Sequence, residues 1–188
     1  MTQATAAKQP KLHIESGVKM LRFDGVDDIL KMATAPVEAN VLTVAMIARA
    51  YTNPTTQTGI IGLGGATAKY NADAIPKNVY VFWTGTGTNK RLQLNASLDG
   101  ANFHTLSVVG DRVGGKYAMN VDTATASVLD AGTAPFQGNG QIEVGAYAGS
   151  TYGAIDVLEV ITWNTALTQA QHFAVRDAMR LAYPGIVA

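Results

Sequence analysis

From Lys11 onward, short apolar runs closed by turn chemistry follow one another every 8 to 12 residues or so, a rhythm that confines the chain to a sandwich or barrel of strands. The runs are Val18 to Phe23, Val41 to Ala50, Gly59 to Leu63, Val79 to Trp83, Arg91 to Ala96, His104 to Val109, Tyr117 to Val121, Ala126 to Leu129, Gln141 to Tyr147 and Ala154 to Trp163. Within Val41 to Ala50, Leu42, Val44, Met46 and Ala48 oppose Val41, Thr43, Ala45, Ile47 and Arg49, which is strand period. The clusters Gly85-Thr86-Gly87, Gly114-Gly115 and Gly138-Asn139-Gly140 separate runs and read as hairpin loops.

The end of the chain breaks the rhythm. Ala170, Phe173, Ala174, Leu181 and Ala182 recur at helical spacing, which predicts one helix over about 168–183. Thr168 as N-cap with Gln171 three residues on forms a capping box, and Pro184-Gly185 supplies the stop. Residues 1–10 are polar, alanine-rich and aperiodic, and read as an N-terminal arm ahead of a domain over 11–188. Such an arm buries too little apolar surface to offset its own ordering entropy. It therefore either docks across its own domain or binds a partner through Thr2, Gln3, Lys8 and Pro10.

The charge balance narrows the partners. With 14 basic and 14 acidic side chains the formal net charge is zero, so the chain lacks the basic footprint of a nucleic-acid or anionic-membrane binder. No cysteine is present, which removes disulfides, zinc ribbons and thiol nucleophiles. Charges interrupt every apolar run short of the roughly 18 residues of a spanning helix, and MTQATAAKQPK has no signal-peptide core. The expectation is a chain made in the cytoplasm and not secreted.

Candidate chemistry is sparse. Gly62-Leu63-Gly64-Gly65-Ala66-Thr67 lacks the third glycine and the following helix of a dinucleotide fingerprint, so it reads as a hairpin turn. Asp24, Asp27 and Asp28 raise calcium, but the EF-hand ligand order is absent and turn chemistry explains them. His13, His104 and His172 lack metal-ligand spacing, and Ser16, Ser97, Ser107, Ser127 and Ser150 lack a nucleophile elbow. Asp156 and Glu159 are the best acid pair, with Glu143 as a third carboxylate. A period of two sends the pair to opposite faces unless a β-bulge intervenes, and the alternation Ile155, Val157, Glu159, Ile161, Trp163 puts Glu159 on an apolar face. Tyr80, Trp83, Tyr147 and Tyr152 could form a sugar platform, although Trp83 and Trp163, each ending a strand, read more readily as core plugs.

Two segments resemble a known family. Leu21-Arg22-Phe23-Asp24-Gly25-Val26-Asp27-Asp28-Ile29-Leu30 is similar to the early strand and turn of the concanavalin A-like lectin/glucanase superfamily, in its laminin G-like jelly-roll branch. Gly153 to Thr168 resembles that branch's final strand and its exit into a terminal helix, and Gln141-Ile142-Glu143-Val144-Gly145 its short penultimate strand. The resemblance implies an all-β fold: an antiparallel two-sheet jelly-roll sandwich with one C-terminal helix. Catalytic members carry an acid cluster that this sequence lacks. The resulting expectation is a non-enzymatic bacteriophage virion protein, a capsid decoration, head-fibre or tail-associated protein, without cofactor or catalytic residue. Its partners would be capsid or tail proteins and further copies of itself. The alternative is a carbohydrate-binding module for a host surface polysaccharide, with surface glycans as partners.

Overall fold

The computed structural model describes residues 1, 3–31, 41–51, 57–63, 66–71, 78–84, 89–98, 102–111, 116–129, 142–147 and 151–187. A single 3₁₀ turn at Ala6–Lys8 precedes β1 (Lys11–Glu15), β2 (Val18–Asp24), β3 (Leu30–Lys31), β4 (Val41–Ala50), β5 (Gln57–Leu63), β6 (Ala66–Asn71), β7 (Asn78–Thr84) and β8 (Asn89–Leu94). There follow β9 (His104–Asp111), β10 (Lys116–Val121), β11 (Ala124–Leu129), β12 (Ile142–Val144), β13 (Ala146–Tyr147), β14 (Thr151–Tyr152), β15 (Ala154–Trp163) and α1 (Gln169–Ala182).

Two antiparallel sheets form the sandwich, one in the order β1-β2-β15-β4-β9-β10-β11 and the other β3-β12-β5-β6-β7-β8; β13 and β14 pair separately. Strand alternation sorts the buried side chains into two layers. Phe23, Leu42, Val44, Met46, Ala48, Ile60, Ile61, Leu106, Met119, Ile142 and Ile155 fill the space between the sheets. On the other face of the seven-stranded sheet, Met20, Ala45, Ile47 and Phe103 are covered by Met179 of α1, with Val175, Tyr183, Ile186 and Val187 alongside. Each buried aliphatic or aromatic side chain contributes about 1.5–3 kcal/mol, so both faces of β4 are stabilised by burial. The helix starts where the sequence predicts, with Thr168 and Gln171 in a capping box.

The structure departs from the sequence reading at Gly145. The run Gln141 to Tyr147 is not one strand, because Gly145 at φ +82° divides it into β12 and β13. A Cβ there would stand 2.1 Å from Phe23 Cδ1, so only glycine lets the chain turn over this core ring. The pair β5 and β6 is a hairpin, as Gly62 to Thr67 predicts, and β6 itself was not among the expected runs. The glycine clusters at 85–87, 114–115 and 138–140 lie outside the described residues.

The N-terminal segment is laid against its own domain. Ile29 N donates to Lys8 O at 3.1 Å, Gln3 Nε2 to Ile29 O at 3.5 Å and Gln9 Nε2 to Gln3 O at 2.7 Å. Thr2 lies outside the described residues.

Candidate functional site

Asp156, the first acid singled out by sequence, is fully buried, at 0% exposure. Register explains why. Asp156 stands directly opposite Arg22 on β2 and opposite Arg49 on β4, so β15 carries one carboxylate between two guanidiniums. Arg22 Nε and Nη2 donate to Asp156 Oδ1 and Oδ2 at 2.7 and 2.8 Å, and Arg49 Nε donates to Oδ2 at 3.0 Å. Arg49 Nη2 continues to Glu15 Oε2 at 2.6 Å, and Arg22 Nη2 lies 3.5 Å from the same oxygen. Arg49 also sits over the Phe103 ring at 4.6 Å, and Arg22 over Tyr51 at 4.3 Å. The hydrogen bond to Asp156 holds Arg22 above its ordinary pKa despite burial, and the bond from Arg49 holds Glu15 below its own. Two acids and two arginines thus balance, and the carboxylate at the centre has no route to a substrate.

A β-bulge does intervene between Val157 and Glu159, at Leu158. Asp156 is opposite Arg49 and Glu159 opposite Ile47, so both acids fall on the helix-covered face, while Ile155 and Val157 join the inter-sheet core. The strict alternation that places Glu159 in line with Ile155 and Val157 is therefore corrected by one inserted residue. Glu159 lies near Tyr183, whose phenol is pushed up first by burial and then by that negative charge. Glu143 belongs to the other sheet and is paired with Lys31 Nζ at 2.9 Å. The three acids do not converge.

The loop after β2 gathers the only group of three potential metal-binding side chains among the described residues, with one oxygen each from Asp24, Asp27 and Asp28 within 4.8 Å of one another. Local hydrogen bonds account for its shape. Asp24 Oδ1 accepts from Val26 N at 2.8 Å and from Asp27 N at 3.3 Å, and Asp28 Oδ2 accepts from Asp24 N at 2.8 Å. Burial, and then the charges of Asp24 and Asp27, push the Asp28 carboxyl up. Two of the three carboxylates are already bound to backbone N–H groups, and calcium takes about six to eight oxygens. The turn alone does not complete such a shell. Tyr51, whose hydroxyl donates to Phe23 O at 3.1 Å, borders this rim. Its phenol is pushed up mainly by burial.

The histidines are dispersed. His13 Nε2 lies 3.7 Å from Glu15, His104 Nδ1 2.8 Å from Asp122, and His172 Nδ1 2.8 Å from Ser107 Oγ. The Ser107–His172 pair is a Ser–His contact that the sequence could not show, since 65 residues separate its members. Asn120 Nδ2 donates to the same hydroxyl at 3.2 Å, and Gln169 Nε2 donates to Asn120 Oδ1 at 2.9 Å. The cavity beside it, under α1, is about 10 Å³, room for one water and no substrate. This network pins the helix to the sheet. Of the proposed sugar platform, Tyr152 is half-buried on β14; Tyr80 and Trp83 lie on β7 and Tyr147 on β13, with side chains outside the described set. Trp163 packs into the helix-side layer as a plug.

The larger clefts open at the rim beside the arm. One of about 300 Å³ is lined by Leu21, Phe23, Leu30, Val144, Val157 and Val160, with Met1 and Glu159 also on its wall. A neighbour of about 280 Å³ shares Met1, Leu21 and Leu30 and adds Gln3, Gln9 and Pro10. Gln3 and Pro10, two of the arm residues singled out by sequence, thus border open space.

No protein-family model matches the chain, and no curated protein is similar to it in sequence. Solved structures are. A heptameric SAP-like pentraxin from Limulus polyphemus matches with a TM-score of 0.65 at 12% identity, over 82% of this chain and 80% of its own. The ligand binding domain of botulinum neurotoxin serotype D, in complex with N-acetylneuraminic acid, matches with a TM-score of 0.64 at 10% identity, over 94% of this chain. This chain spans about half of that domain's length, 48%. The CBM40 of a Ruminococcus gnavus IT-sialidase, bound to α2,3-sialyllactose, matches with a TM-score of 0.58 at 11% identity, over 72% of this chain and 82% of its own. At these identities the likeness is one of fold, a jelly-roll sandwich.

Proposed function

We propose that this chain is a non-catalytic carbohydrate-binding module of concanavalin A-like architecture. The observation that carries the reading is that, among the described residues, the acids singled out by sequence do not converge on one another, Glu159 lying on the seven-stranded sheet and Glu143 on the other. Asp156 is enclosed by Arg22 and Arg49, and Glu143 is tied to Lys31. Glycoside hydrolysis needs two acids facing the scissile bond with a free path to it. A sandwich whose described acids are placed apart in this way fits sugar binding without cleavage. The neurotoxin domain and the sialidase module, which share the architecture, are both described with sialic-acid ligands.

The rim bearing exposed Asp24 and half-buried Asp27 supplies acceptors for sugar hydroxyls, and three carboxylates there repel a carboxylated sugar. Neutral oligosaccharides are therefore the first class to test at this rim, with sialylated ones on the same array. Binding that is weakened by Asp27→Asn supports the reading. A flat response across both glycan classes at millimolar ligand refutes it.

Attachment to a virion through Thr2, Gln3, Lys8 and Pro10 is a second reading, favoured by the open cleft that Gln3 and Pro10 line. None of the three similar structures is described as a virion protein. Deleting residues 2–10 and measuring cosedimentation with particles tests it; unchanged occupancy removes the arm as the attachment device.

A further inference from the structure

Strand β1 ends the seven-stranded sheet, and two large apolar side chains on it are uncovered: Leu12 is 64% exposed and Ile14 58%. Leu12 is paired with Leu21, which packs on the inter-sheet core, so both exposed residues face the same side as that core but extend beyond the second sheet. The backbone is open as well. Ser16 and Gly17, at φ 52° and 81°, make a two-residue hairpin turn, so Glu15 and Val18 form its closing hydrogen-bonded pair. Counting back, Lys11, His13 and Glu15 turn their N–H and C=O toward β2, and Leu12 and Ile14 turn theirs to the edge. Among the described residues no backbone group bonds to Leu12 or Ile14 from that edge.

We propose that this edge pairs with a second copy of itself, antiparallel, about a two-fold axis at His13. The sequence Lys11-Leu12-His13-Ile14-Glu15 is self-complementary in that register. Leu12 meets the partner's Ile14, and Ile14 meets the partner's Leu12. Both are residues with outward N–H and C=O, as opposed residues in an antiparallel hydrogen-bonded pair must be. Lys11 meets the partner's Glu15 on the other face, at both ends of the strand, and Glu15 keeps 46% of its side chain exposed while bound to Arg49. A register shifted by two residues loses both charge pairs, and one shifted by a single residue puts Leu12 and Ile14 on the wrong face. Pro10, the next outward position, has no N–H and stops the ladder at five residues. A lysine on an edge discourages pairing with arbitrary strands; here a second copy places a glutamate opposite it. The product is a continuous sheet across two copies, independent of any sugar the module binds.

The interface is small, so the dimer should be weak, with a dissociation constant of about 10⁻⁵ M. Sedimentation velocity from about 1 µM to about 500 µM should show a monomer–dimer equilibrium in the wild type. Ile14→Pro removes an outward N–H that no described intrachain bond uses, and should give a monomer with unchanged circular dichroism. Lys11→Glu, at an exposed position, should weaken dimerisation at least tenfold, and decides the matter if Ile14→Pro fails to fold. A wild type that stays monomeric throughout overturns the proposal, as does a dimer that survives these substitutions.

Discussion

Replacing Asp156 by asparagine tests whether the buried charge cluster holds the sheet together. The side chain keeps its shape and loses its charge, while Arg22 and Arg49 remain. Three charge-assisted hydrogen bonds of 2.7, 2.8 and 3.0 Å are weakened or lost, and Arg49, itself buried, loses the carboxylate at the centre of the cluster while keeping its bond to Glu15. Removing one partner of a buried ion pair costs about 3–5 kcal/mol, most of it the penalty of the charge left behind. For a chain of 188 residues that lowers Tm by about 10 °C. Urea denaturation followed by circular dichroism measures the change, with the m-value constant if the mechanism is the proposed one. Replacing Arg49 by methionine in the same background should cost less than the two single changes added together, because the second substitution removes the charge the first orphaned. A loss below about 1 kcal/mol for Asp156→Asn, or strict additivity in the cycle, refutes the reasoning.

Other substitutions isolate other parts of the scaffold. Gly145→Ala forces a left-handed backbone and a Cβ into the Phe23 ring, and should cost about 3 kcal/mol or more in denaturant unfolding, with partial relief in a Phe23→Leu background. Asp122 is burdened by burial, but hydrogen bonds from His104 and Thr105 outweigh this and hold its carboxyl below the ordinary value. Its contribution is therefore complete above the unfolded value of about 4 and is lost as the pH falls through the lower folded value. Asp122→Asn should cost about 1–2 kcal/mol at pH 7, and unfolding curves taken at successively lower pH should show the gap to wild type closing. Thr168→Ala removes half of the capping box and should cost about 1 kcal/mol, read as a fall of a few degrees in Tm.

Local signals were legible and cross-strand ones were not. The helix was readable from Thr168, Gln171 and the spacing of Phe173, Ala174 and Leu181, because a helix is specified by residues within a few turns of one another. Strand β4 was readable from alternation alone, and β15 as a run, but not the phase change that its bulge introduces. The charge cluster was not, because its members stand at positions 15, 22, 49 and 156 and meet only through the register of four strands. One signal could have found it. Arg49 shares the face of Ala45 and Ile47, and an arginine on a face that must be buried requires a buried acid. Strand β6, Ala66 to Asn71, escaped because Ala66, Ala68, Lys69 and Asn71 outweigh Thr67 and Tyr70 in the local β signal, and pairing with β5 and β7 overrides it.

The single extra residue at Leu158 has a consequence for how this chain should be aligned with distant relatives. Upstream of it, odd-numbered positions of β15 feed the sandwich; downstream, even-numbered ones do, with Val160 in contact with that core. A profile built on the hydrophobic pattern of one half will therefore score the other half out of phase.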